Sequence, residues 1–124
     1  MNQKVFTPKA PAAIGPYSQA VLAGNMLFCS GMIPVDPETN TLVENDIKVQ
    51  SKQIMSNIDN LLNEAGYSVD DVVKTTCFLA DIKDFAAFNE IYGEYFTSKP
   101  ARSCVAAKDL PKGALVEVEV IAVK

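Results

Sequence analysis

The chain has 124 residues, 48% hydrophobic and 21% charged, with eleven Lys and Arg against fifteen Asp and Glu for a net charge of −4. That is one domain of an ordinary globular protein, and its acidic balance and scattered cations argue against a nucleic-acid surface. Histidine is absent, which excludes Ser-His-Asp and Cys-His catalysis and removes the commonest metal ligand.

Neither a GxGxxG nor a GxxxxGK phosphate loop occurs. No apolar run approaches the ~20 residues of a membrane span. The start, "MNQKVFTPKAP", has neither a signal peptide's apolar stretch nor the Arg-rich bias of a transit peptide. Three cysteines with no CxxC pair point to free thiols, so a reducing, cytoplasmic location is expected.

In chain order, "KVFT" is a short strand candidate. A rigid loop with Pro8, Pro11 and Pro16 follows. "YSQAVLA" and "MLFCS" flank Gly24-Asn25, a hairpin signal. "PVDPETNTLV" is turn-rich, with Pro34, Asp36, Pro37 and Asn40 interrupting any regular element.

From Asp46 to Ala65 the period becomes helical. Ile47, Ser51, Ile54, Ile58, Leu61 and Ala65 form one stripe, with Asn45 or Asp46 as cap and Gly66 as terminator. "VVKTTCFLA" (72–80) is β-branched and aromatic, hence a strand. Residues 84–96 read as a second helix capped by Asp84, with Phe85, Phe88, Tyr92 and Tyr95 on one face, and Pro100 bars its continuation. "ARSCVAA", the turn region "KDLPKG" and the alternating strand "ALVEVEVIAV" complete the chain.

The order βββ-α-β-α-ββ, within a single domain spanning residues 1–124, predicts an α+β sandwich with one mixed sheet and both helices on one face. No third helix covers the opposite face, so self-association is expected, most simply as a closed ring of identical subunits.

Strand alternation places Arg102 and Cys104 on one face, with Ser103 and Val105 on the other. On the last strand Glu117 and Glu119 share a face. If the last two strands form a hairpin across "KDLPKG" with Ala107 opposite Ala114, Cys104 faces Glu117 and Arg102 faces Glu119. Arg, Cys and Glu then cluster within about 5–8 Å. The same pattern also fits a solvated ion pair worth under ~1 kcal/mol beside a cysteine that merely fills space. Small apolar neighbours favour a pocket floor, where arginine's planar fork suits a carboxylate.

Tyr17, after Gly15-Pro16, is placed to project a phenol from a loop. Ser30-Gly31 ends a strand, where a hydroxyl and an N–H can meet a ligand, and Asn89 sits beside Phe88 on the aromatic helix. Lys74 reads as a surface charge, and Cys29 and Cys77 as core fillers.

Taken together, "APAAIGPYSQAV", "CSGMIPVDPETN", "PARSCV" and "VEVEVIAV" resemble, in order and over nearly the whole chain, the RidA family, also called YjgF/YER057c/UK114. The resemblance implies a chorismate-mutase-like α+β fold, assembled as a homotrimer with ligand clefts between subunits. It implies cofactor-free hydrolysis of enamines and imines, such as 2-aminoacrylate and 2-iminobutanoate, to 2-oxo acids and ammonia. Those intermediates would come from pyridoxal-phosphate-dependent dehydratases.

By motif, Arg102 corresponds to the carboxylate-gripping arginine, Cys104 to the cleft cysteine and Glu117 to the water-activating glutamate. Tyr17, Ser30, Gly31 and Asn89 correspond to the remaining cleft residues. Met32 departs from the family pattern, which often has Gln there. A non-catalytic, small-acid-binding or regulatory trimer is the alternative the resemblance leaves open. An endoribonuclease fits the charge poorly, and a chaperone leaves no signature. Whether Arg102 or Glu117 dominates the Cys104 thiol is left open.

Overall fold

Side chains that alternate between buried and exposed dominate the last strand: Val116, Val118, Val120 and Ala122 are buried and Glu119 is exposed. This period-2 pattern fits a strand whose one face packs on the helices. The computed structural model describes all residues, Met1–Lys124. Its eight strands are β1 (Gln3–Val5), β2 (Ala20–Ala23), β3 (Met26–Cys29), β4 (Val35–Asp36), β5 (Thr41–Leu42), β6 (Val72–Leu79), β7 (Ala101–Ala106) and β8 (Val116–Val123), with helices α1 (Ile47–Glu64) and α2 (Phe85–Tyr95).

The main sheet has the order β1-β2-β3-β8-β6-β7. Its one parallel pair is β6 with β7, so the sheet is mixed. The predicted α+β architecture, with both helices on one face, is what the structure has. The β2–β3 hairpin turns at Gly24, whose φ of 63° is left-handed and easy only for glycine. Within the turn-rich "PVDPETNTLV", the expectation of no regular element needs correction. β4 and β5 pair there as a two-residue ladder, turning at Asn40.

Asp46 caps α1, accepting from the backbone N–H groups of Lys48 and Val49 at 2.9 and 3.0 Å. Gly66 follows the helix with φ 80°. Asp84 stands at the N-cap position of α2 as expected but makes no capping bond with its side chain. Asp81 caps the preceding 3-10 turn instead, accepting from Lys83 N–H at 2.9 Å.

Ile54, Ile58, Leu61 and Leu62 of α1 and Phe88 and Tyr92 of α2 pack on Leu27, Cys77, Leu79, Val116 and Val118 of the sheet as one core. Met32 belongs to it, buried and bridged to Val118 by two backbone hydrogen bonds. The departure from the family pattern is therefore a core contact as well as a neighbour of the small pocket described below. The opposite face of the sheet is open and leaves apolar groups in solvent, with Phe28 41% and Val105 50% exposed. No helix is long and apolar enough to cross a membrane.

Candidate functional site

β6, α2 and β7 form a β-α-β unit, and such a crossover returns the chain parallel to its first strand. β7 accordingly lies on the outer edge of β6, with Thr75 beside Arg102 and Cys77 beside Cys104. β8 takes the other side of β6, pairing Phe78 with Glu117 and Thr76 with Glu119. The expected β7–β8 hairpin is therefore wrong, because β6 stands between the two strands. Cys104 does not face Glu117, and Arg102 does not face Glu119.

The consequence reaches the side chains. Arg102 and Cys104 share the helix-facing side with Thr75 and Cys77, whereas Glu117 and Glu119 point to the open side. Two strand spacings, about 10 Å, and the thickness of the sheet separate Arg102 from Glu117 within one chain. The residues expected in one cluster fall into two part-sites.

The first part-site is built by α2 and β7. Phe85, Asn89 and Tyr92 lie three and four residues apart and so on one helical face. The Arg102 guanidinium carbon sits 4.7 Å from the Tyr92 ring centroid and 5.3 Å from that of Phe85, within cation–π range. Its NH1 donates to Asn89 Oδ1 at 2.6 Å. The remaining guanidinium donors open onto a cleft of about 550 Å³ lined by Asn89, Tyr92, Gly93, Thr97, Lys99 and Pro100, among others. Cys104 lies two residues along the same face, and burial raises its thiol pKa while Arg102 lowers it, burial being the larger effect. Glu117 has no part in that balance. Cys29 and Cys77 are buried fillers as expected, their thiols pushed up to about 12 by burial and so inert as thiolates.

The second part-site lies where the N-terminal loop meets β3 and β8. Tyr17, Ser30 and Gly31 line one small pocket with Pro11 and Met32. The carboxylate of Glu117 packs directly on Gly31, where any Cβ would collide with it. Burial raises the Glu117 pKa, and the like charge of Glu119 raises it further. Ser30 donates its hydroxyl to Ser18 C=O at 2.6 Å, so its free lone pairs can accept from a ligand N–H. Tyr17 is 55% exposed, its phenol presented from the loop.

Residues not singled out in the sequence also shape these sites. Gln19 is buried, accepts from Thr7 N–H and donates to the carbonyls of Thr7, Ala10 and Pro11, fastening the loop that carries Tyr17. Its signal was a polar residue leading into an apolar strand. Tyr92 and Phe85 read only as apolar stripe positions, and nothing local marks them as arginine neighbours. No group of three or more acidic, Cys or His side chains is arranged to hold a metal.

A mixed sheet backed by two helices, with a guanidinium cleft at one edge and a glutamate seated on a glycine across the sheet, defines an α+β protein with two part-sites on opposite faces. The sequence profile of the endoribonuclease L-PSP family matches residues 7–124. The chain belongs to that family, of which RidA and YjgF are other names, as its motifs indicated.

A RutC family protein of Pyrococcus horikoshii is 53% identical over 125 residues, covering 100% of this chain and 99% of its own. The 2-iminobutanoate/2-iminopropanoate deaminase of Salmonella typhimurium is 45% identical over 128 residues, covering 100% of this chain and 99% of its own. Among solved structures, E. coli TdcF with bound serine superposes with a TM-score of 0.94 at 41% identity, covering 98% of each chain.

Proposed function

We propose that this protein hydrolyses reactive 2-imino acids and their enamine tautomers, such as 2-aminoacrylate and 2-iminobutanoate, to 2-oxo acids and ammonia without a cofactor. The observation that carries this reading is Arg102. Its guanidinium is held by Asn89 and two aromatic rings and keeps free donors toward an open cleft. A small planar carboxylate is the ligand that such a fork fits in two-point fashion. The Salmonella relative is named for this activity, and TdcF is described with serine, a small amino acid, bound.

The chemistry asks little of the protein beyond placement. A protonated imine is already electrophilic, so water can attack its carbon once the carboxylate is anchored and the geometry fixed. Glu117, its pKa raised, accepts the proton of that water. The resulting amino alcohol transfers its hydroxyl proton to nitrogen, the C–N bond breaks as the carbonyl forms, and the departing ammonia takes the proton held by Glu117 and leaves as ammonium. Ser30 and Tyr17, which line the pocket at Gly31, would hydrogen-bond the nitrogen, and the Asn89 amide N–H group would be available beside Arg102.

Since Arg102 and Glu117 lie on opposite faces in one chain, a second copy must supply one of them. A homotrimeric ring would do so by setting the open face of one subunit, with Glu117, against the β7 edge of the next. The imine would arrive from pyridoxal-phosphate-dependent serine or threonine dehydratases. The test couples such a dehydratase to this protein and follows imine loss against the uncatalysed rate. Acceleration that disappears in Arg102→Ala is expected. An undiminished rate in that variant overturns the assignment.

A non-catalytic small-acid-binding or regulatory role is the second reading, favoured by the completeness of the Arg102 cleft without Glu117. Binding of 2-oxobutanoate with no rate enhancement would select it. The family description names an endoribonuclease, but Lys99 is the only other cation lining the cleft. RNA binding that survives moderate salt would be needed to revive that reading.

A further inference from the structure

We infer that Tyr92 and Thr75 are positioning residues for Arg102, acting through a buried hydroxyl pair that no motif marks. The inference rests on the reading of Arg102 as a carboxylate anchor. Its neighbours in the core, Phe88 and Phe96, carry no hydroxyl, and a buried phenol is costly unless bonded. The Tyr92 hydroxyl meets Thr75 Oγ1 at 2.7 Å, with Thr75 fully buried and Tyr92 only 6% exposed. Thr75 is the register partner of Arg102 on the adjacent strand. The hydroxyl that holds the ring therefore comes from the ladder position beside the arginine.

A phenylalanine at 92 would keep the packing on Phe88 and Phe96 but would lose the one directional bond that ties the ring to β6. With the tether, ring plane, β6 and β7 are linked at one level, and the guanidinium carbon lies 4.7 Å from the ring centroid. Asn89 holds one edge of the fork at 2.6 Å. Together they leave the remaining donors aimed at the cleft before any ligand arrives, which lowers the ordering cost of binding. The class of ligand so favoured is a planar 2-oxo or 2-imino carboxylate, which meets the fork at two points. A neutral amide cannot do so.

The experiment measures 2-oxobutanoate and neutral 2-oxobutanamide binding to the assembled protein by calorimetry. The parent is compared with Tyr92→Phe, Thr75→Val, their double variant and Thr75→Ser. Each of the first two should weaken 2-oxobutanoate binding by about 3- to 10-fold, as expected for one lost hydrogen bond. The double variant should be no worse than the weaker single, because both remove the same contact. Binding of the amide should stay within about twofold of the parent, and Thr75→Ser should restore parent affinity for the acid. In an Arg102→Lys background, Tyr92→Phe should change nothing.

Parent-like 2-oxobutanoate binding in Tyr92→Phe overturns the inference. So does an equal loss for acid and amide, which would mark a merely structural effect, and so does strict additivity of the two singles. The binding readout is independent of turnover. If the pattern holds but no imine is hydrolysed, the enzymatic reading fails and the positioning role stands. If the parent does not bind 2-oxobutanoate, both fall.

Discussion

The two faces of the main sheet secure their polar groups differently. On the helix-covered face the buried polar side chains are almost all partnered within the chain. Thr75 meets Tyr92, Asn57 donates to Val35 C=O, and Gln50 accepts from Leu115 N–H, while only Ser51 Oγ lacks a partner. On the open face Glu117 and Glu119 stand on one strand without an intrachain cation, since the chain's one ion pair is the surface contact Lys48–Glu90. Apolar Phe28 and Val105 lie exposed there as well. The covered face is finished by the fold itself. The open face keeps like charges side by side and bare apolar groups, which is why the proposed ring of copies would cover it.

The sharpest break of this comparison is Arg102→Ala, which strips the covered face of the proposed carboxylate anchor. Imine hydrolysis should fall by about 10²-fold or more in kcat/KM, read by coupled dehydratase assay. Next comes complementation between faces. Arg102→Ala and Glu117→Gln are each expected to be inactive, but subunits mixed before assembly should recover about one quarter of parent activity. That is the fraction of random neighbours pairing an intact Arg102 with an intact Glu117. No recovery would mean that the two faces do not meet between copies.

Gly31→Ala probes the open face alone. The added methyl collides with the Glu117 carboxylate, so kcat should drop about 10-fold while Arg102-dependent binding of 2-oxobutanoate stays near the parent value. A smaller effect is a shift in pH. As the proposed base, Glu117 would have to be ionised to take a proton, and its raised pKa would then set the acid limb of activity. Removing the like charge with Glu119→Gln eases ionisation of Glu117, lowers its pKa and moves that limb to lower pH. A pH–rate profile checks the sign, and an unmoved limb would sever Glu119 from Glu117. Smallest, and away from either site, Asp46→Ala should cost about 1 kcal/mol through loss of the α1 cap, visible as a lowered Tm with activity kept.

The parts legible in the sequence were those set by local periodicity. The α1 stripe from Ile47 to Leu61, the Gly24-Asn25 turn and the alternation of β8 all depend on residues a few positions apart. Parity along β7 also stood: Arg102 and Cys104 share a face. What failed was the partner of that strand. A short turn before a strand suggested a hairpin, while the β-α-β order of β6, α2 and β7, the better signal, called for a parallel pair. Tyr92 was visible as an apolar position but not as the ring beside Arg102, because that contact depends on how α2 folds back over the strand that follows it, which no residue spacing fixes.

Sequence alone therefore pointed to the family and to most of the elements, and it nominated candidate site residues on them. Periodicity and motif spacing are properties of neighbouring residues, and they survive without knowledge of the fold. The tertiary structure decided that Arg102 and Glu117 lie on opposite faces of one sheet, because β6 inserts between their strands. Strand order is settled by closure of the whole sheet around its core, and no local spacing encodes it.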